Sequence, residues 1–283
     1  MKRTWIAAAL ALVALGLPCA SWYVAGSREA RRQADQIRGE PEAIARETAR
    51  SLASRLSARL ESLRQSESAR PYYHYQSVYH DPDAASLSSL AVFPSPLARG
   101  PGDPLIRAHF QIDRSGSVSS PTIDPELKSA ANSAAQVGFL AQIQSVAREL
   151  RPPGAEQQVA QQEAQQALSK TEVLEAQAYQ QNVQAKEIYS DLRQKKMPKL
   201  RSEPTGPVQV KVGDFAWRTI PIEAKPALIA LRAVETPDGP LTQGLWISSE
   251  AVEETLRGSP LPARFVPTGQ DANSSSPVAG TGW

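Results

Sequence analysis

The sequence predicts an α+β protein, with long helices in its first two thirds and an antiparallel sheet in its last. Three observations lead there. Residues 4–27 carry no charge and are rich in Ala and Leu, apolar residues recur at helical spacing over 40–69 and 126–196, and the last third changes to period-two alternation.

As a helix, residues 4–27 would extend about 36 Å, against a hydrocarbon core of about 30 Å. Trp5 stands at one end and Trp22 and Tyr23 at the other, about 26 Å apart, a match to the two interfacial belts of a bilayer. Lys2 and Arg3 also suit a cleaved signal peptide. A cut after Ala20 would put Pro18, and a cut after Ala25 would put Tyr23, where a small residue is needed. Pro18 also spoils a lipoprotein reading of Cys19. The expectation is an uncleaved transmembrane anchor over residues 1–27, single-pass in the inner (cytoplasmic) membrane, with the bulk of the chain periplasmic or otherwise extracytoplasmic. Arg28, Arg31 and Arg32 after the run outnumber Lys2 and Arg3 before it, against the positive-inside rule.

Residues 28–70 form a juxtamembrane amphipathic helix in this reading, with Ile44, Thr48, Leu52, Leu56, Leu60 and Leu63 on one face and Arg46, Arg50, Arg55, Arg59 and Arg64 on the other. The arginines read as a solvated face or as contacts to anionic lipid. Residues 71–267 make the main domain. Four prolines in residues 92–104 make that segment a loop, and Arg114-Ser115-Gly116 joins strands 107–113 and 117–123 as a hairpin. Residues 126–197 read as an αα-hairpin broken at Arg151-Pro152-Pro153-Gly154, its second arm opening with repeated Gln pairs on one side. The remaining strands are 208–212, 215–220, 227–234 and 241–248, with Gly213-Asp214 and Pro237-Asp238-Gly239 as turns. A short acidic helix covers 249–256, and residues 268–283 read as a disordered tail.

Composition excludes several classes of function. One cysteine in 283 residues rules out an intrachain disulfide and a Cys-based metal site. A net charge of +2, from 31 basic and 29 acidic residues, leaves no nucleic-acid footprint. Nucleophile elbow, Walker loop and H-E-x-x-H are all missing, so no catalytic residue is assigned and the chain is not expected to be an enzyme. No cofactor and no metal is expected, because the three histidines have no ligand spacing.

The densest chemistry is PYYHYQSVYHDP, residues 71–82, with four of the seven tyrosines and two of the three histidines. It reads either as the aromatic wall of a core or as a binding site. In the binding reading Tyr72, Tyr73, His74 and Tyr75 line a small-molecule pocket. Arg107 and His109, two apart on a strand and so on one face, offer polar contacts to a small polar or anionic ligand.

Two stretches carry a resemblance. ETPDGPLTQGLWISSEAVEETL, residues 235–256, resembles the end of bacterial extracytoplasmic PAS/Cache-like sensor domains. PYYHYQSVYHDP with the following PSPLARGPGDPLIRAHFQID resembles the N-terminal sensor region of a group of bacterial membrane-bound sensor histidine kinases, over nearly the whole chain after residue 28. The resemblance implies a PAS/Cache-like antiparallel sheet and the sensory module of a two-component kinase that signals across the membrane by helix movement. Its partners would be the small ligand, the membrane and a second copy in a homodimer. The chain departs from the family in having no phosphoacceptor helix and no D-x-G-x-G box, so it is the sensory portion of a longer kinase or a stand-alone binding protein. The alternative is a structural or scaffold protein of the bacterial cell envelope, assembled through long Ala/Gln helices.

Overall fold

The computed structural model describes residues 2–82, 91–123, 134–150, 170–198, 206–259, 261–267 and 276–283, with side chains of helical residues 2–20, 35–40 and 134–137 left out. One helix, α1 (Lys2–Ser68), runs through Gly39 and Pro41 without a break. Its 67 residues extend about 100 Å. The lower part of the expected apolar stripe is buried at Leu56, Leu60 and Leu63, whereas Ile44 is 59% exposed. Two expectations about this helix are corrected. Among the described residues no helix is long and apolar enough to cross a membrane, so the transmembrane anchor over 1–27 and the single-pass inner-membrane placement are not supported. Past Tyr23 the helix soon turns polar, with Arg28, Glu29, Arg31 and Arg32 following within the same continuous element.

The period-two segments form one antiparallel sheet of seven strands: β3 (Ile106–Ile112), β4 (Val118–Ser119), β5 (Lys170–Leu174), β6 (Val208–Val212), β7 (Ala216–Ile222), β8 (Lys225–Thr236) and β9 (Gly239–Ile247). Their order is β4-β3-β9-β8-β6-β5, with β7 also on β8. The α+β class and the antiparallel sense agree with the sequence, but this seven-stranded sheet is not a PAS sheet. Gly213-Asp214 is not a hairpin turn either. β6 and β7 lie end to end along the same edge of β8, and the Gly213 N–H donates to the Ala233 carbonyl at 2.9 Å, so these residues form a corner within one edge. A separate two-stranded ribbon pairs β1 (Val78–Tyr79) with β2 (Phe93–Pro94).

Each sheet face has its own cover. One face, with Leu228, Ala230, Leu245 and Ile247, packs on Leu56, Leu60 and Leu63 of α1. The other, with Phe110, Ile220, Ile229 and Trp246, packs on Phe139, Ile143 and Leu150 of α2 (Ala134–Leu150). Gly244 is required on that second face, because a Cβ there would lie 2.2 Å from the Phe110 ring.

The helical hairpin expected over 126–197 is interrupted. Residues 170–174 form β5 on the edge of β6, and two short helices follow, α3 (Ala176–Val183) and α4 (Ala185–Arg193). Leu174 and Tyr179 join Val210, Val212 and Val234 in a local core, and that burial outweighs the helix propensity of the surrounding Ala and Gln. The Gln pairs fall outside the described residues. The last helix, α5 (Ser249–Leu256), is capped as expected, the Ser248 hydroxyl accepting from the Ala251 N–H at 3.2 Å. Of the expected disordered tail, residues 276–283 are packed: Val278 and Trp283 are buried, and Trp283 stacks on Phe265 with ring centroids 4.5 Å apart. The two apolar side chains supply the anchor that the Gly- and Ser-rich composition conceals.

Candidate functional site

A helix ends with four carbonyls that its own backbone cannot satisfy. At the end of α1 these meet the most deeply buried charge of the sheet, Arg232 on β8, which is 2% exposed. Its Nη2 donates to the Arg70 carbonyl at 3.0 Å, and its Nη1 to the Ser68 and Glu67 carbonyls at 3.3 and 3.5 Å. Its Nε donates to Gln243 Oε1 at 2.9 Å, on the neighbouring strand β9. The guanidinium lies 4.8 Å from the Phe215 ring centroid and 5.1 Å from that of Tyr75. Gln243 continues outward, donating from Nε2 to the Tyr72 carbonyl at 2.7 Å and to Gln111 Oε1 at 2.9 Å.

Glu67, in the last turn of α1, completes this network. Its carboxylate accepts from Arg70 at 2.8 and 2.9 Å and from the Tyr75 hydroxyl at 3.3 Å, with His109 Nε2 also 3.3 Å away. Burial alone would raise the Glu67 carboxyl, but the hydrogen bonds and charges of His109 and Arg70 outweigh it and bring it down to about 2. Burial pushes the Arg232 guanidinium down, and the nearby Tyr75 and Glu67 oppose that push.

The aromatic stretch forms a 3₁₀ turn, Tyr72–Tyr75, with its three tyrosines buried between helix end and sheet. Tyr73 stacks on Tyr79 at 5.6 Å, and His74 meets Tyr79 edge-on at 4.8 Å. Burial lowers the His74 imidazole to about 4, with Arg70 adding to the effect. Tyr75 meets His109 edge-on at 5.6 Å. The structure thus brings Tyr75 and His109 together, while Tyr72, Tyr73 and His74 pack among themselves and on Tyr79 instead.

Arg107 is elsewhere. The register between β3 and β9 shifts between Ile106 and Ala108, so Arg107 is the extra residue of a β-bulge, and a bulge reverses the side-chain alternation beyond it. Arg107 lies over the Trp246 ring at 4.3 Å on the α2 face, while His109 faces α1. The expected pairing of Arg107 and His109 on one face is therefore corrected. The bulge is invisible to a count of two residues.

Arg107 instead enters a cleft of about 270 Å³ at the end of the sheet where β9 ends and β7 turns into β8. Gln142, Glu223, Lys225, Trp246 and Glu250 also line it, and none of the tyrosines of the 3₁₀ turn does. Phe265 and Trp283 divide it from a larger apolar groove of about 560 Å³ along Leu52 and Leu56 of α1. Among the described residues no group of three or more His, Cys, Asp and Glu side chains converges as metal ligands do.

Sequence reasoning missed Arg232, Gln243 and Glu67. A signal did exist, since Arg232 interrupts ALIALRAV and Gln243 interrupts LTQGLW, and a charge or an amide inside a buried strand needs partners. Comparison with protein-family models, curated proteins and solved structures finds no match to this chain.

Proposed function

We propose that this chain is a sensory module: a unit that binds a small polar or anionic molecule and passes the event to its long helix. One observation carries the reading. The last turn of α1 is held to the two central strands by a buried guanidinium that joins helix carbonyls to Gln243, so a displacement of β8 or β9 displaces the helix end as well. The described stretches of α1 before its buried end, residues 21–34 and 41–51, are largely exposed and so free to carry that displacement away, and one-turn or smaller helix shifts are a known kind of switch. On the resemblance to kinase sensor regions, the receiver is the transmitter part of a two-component histidine kinase.

A scaffold reading is favoured by one different observation. Trp22 and Tyr23 are 83% and 76% exposed on α1 and offer apolar area for helix-to-helix assembly. A panel of small carboxylates, amines, sugars and amino acids, screened by thermal shift and then by hydrogen exchange over residues 60–70, separates the two. The sensory reading expects a compound that raises Tm and changes exchange in that segment. Concentration-dependent oligomers with no responding compound would overturn it in favour of the scaffold.

A further inference from the structure

The cleft at the β7–β8 turn gathers two cations and two carboxylates that close no salt bridge with one another. Among the described residues, Arg107, Lys225 and Glu223 form no ion pair at contact distance, and Glu250 accepts from its own backbone N–H and from the Ser248 hydroxyl at 3.0 Å, with the more distant charges of Arg107 and Lys225 helping to hold its carboxyl below the usual range. The Gln142 Oε1 atom is buried with no hydrogen-bond partner. Two cations and two carboxylates on one rim balance, so a purely anionic ligand would meet as much repulsion as attraction. A molecule carrying both signs matches the pattern. The floor is aromatic, with Trp246, Phe265 and Trp283, and about 270 Å³ is below the range of about 300–1,000 Å³ typical of drug-sized ligands.

The turn that presents two of these groups is strained. Glu223 and Ala224 both have left-handed backbone, with φ of 50° and 62°, at the centre of a two-residue hairpin where Asn-Gly fits without penalty. A strained turn at the mouth of a cleft is what results when side-chain identity matters more than local stability. The β-bulge acts to the same end, because it leaves Arg107 over the Trp246 ring at the mouth of this cleft while returning His109 to the α1 face.

We propose that this cleft binds a small zwitterion, a free α-amino acid or close analogue, with Arg107 and Lys225 facing its carboxylate and Glu223 and Glu250 its ammonium. The proposal rests on the sensory reading and supplies its ligand. The side chain of the ligand lies toward Trp246, and Gln142 Oε1 accepts a further N–H from the ammonium.

Calorimetric titration of the full chain with each of the twenty L-amino acids, their N-acetyl derivatives and their amides tests it. At least one amino acid should bind, its N-acetyl and amide forms should bind at least tenfold more weakly, and Arg107→Gln and Glu223→Gln should each cost at least tenfold. Both side chains are exposed, so the variants should melt with the parent. The double variant Glu223→Asn with Ala224→Gly should melt higher than the parent while losing affinity. Absence of binding by every amino acid overturns the proposal, as does binding that both single variants leave unchanged. If a compound without both charges alters exchange in α1 and no amino acid binds, this inference fails and the sensory reading stands. If an amino acid binds the cleft and α1 exchange is unaltered, the sensory reading fails and this inference stands.

Discussion

Replacing Arg232 by Met keeps most of the side-chain volume and removes every polar contact. The substitution leaves the Arg70 and Ser68 carbonyls and Gln243 Oε1 without their donor, in a place where the arginine itself is 2% exposed. A buried polar group left unpaired costs about 1–3 kcal/mol, so three of them cost roughly 3–9 kcal/mol. Removing a buried cation returns several kcal/mol of desolvation, and Met retains apolar contact with Tyr75 and Phe215. The net expectation is a loss of about 3–4 kcal/mol, measured by urea unfolding with an unchanged m-value. Arg232→Lys should recover little, since one ammonium cannot reach helix carbonyls and Gln243 from the same position. A loss below about 1 kcal/mol for Arg232→Met would refute the reasoning, because the guanidinium would then not be what holds the helix end.

Gly244→Ala should lower stability by about 2–3 kcal/mol in thermal unfolding, because the new methyl group meets the Phe110 ring and must push it into Phe139. Tyr72→Phe should be neutral or raise stability by about 1 kcal/mol, since the Tyr72 hydroxyl is buried without a partner; a clear loss would mean that the hydroxyl is bonded. Acid should act in two stages. The folded His74 titrates near 4, below its ordinary 6.5, so the folded state binds fewer protons than the unfolded chain in that window, and stability falls as pH drops from 6.5 to 4. Glu67, lowered from 4.5 to about 2, adds a second loss as pH falls from 4.5 to 2. Tm against pH for His74→Gln should lose the upper stage alone, and for Glu67→Gln the lower.

Much of the sheet was legible because its signals are local. Alternation marked β6 to β9, and Arg114-Ser115-Gly116 marked the β3–β4 turn, whose Asp113 carboxylate accepts from the Ser115 and Ser117 N–H groups at 2.8 and 2.9 Å. What stayed hidden depends on partners distant in sequence. Lys170–Leu174 becomes a strand only because β6 presents an open edge, and the tail is ordered because Trp283 reaches Phe265 and donates from Nε1 to the Thr219 hydroxyl. The candidate sites follow the same division. The aromatic density of residues 72–75 was plain, but its place between helix end and sheet was not. The partition of Arg107 from His109 turned on one bulged residue, which no period-two pattern records. The long apolar start invited a membrane span, although among the described residues no helix is apolar enough over the length a span requires.

The central claim is that the end of α1 and strands β8 and β9 open and close as one unit through Arg232. Native-state hydrogen exchange at increasing denaturant tests this with no ligand needed. Amides of residues 60–68 should show the same opening free energy as those of 229–234 and 242–246 in the parent chain. In Arg232→Met the helix end should fall well below the strands. If the helix end already exchanges through a separate, much cheaper opening in the parent, helix and sheet are not coupled and the account is contradicted.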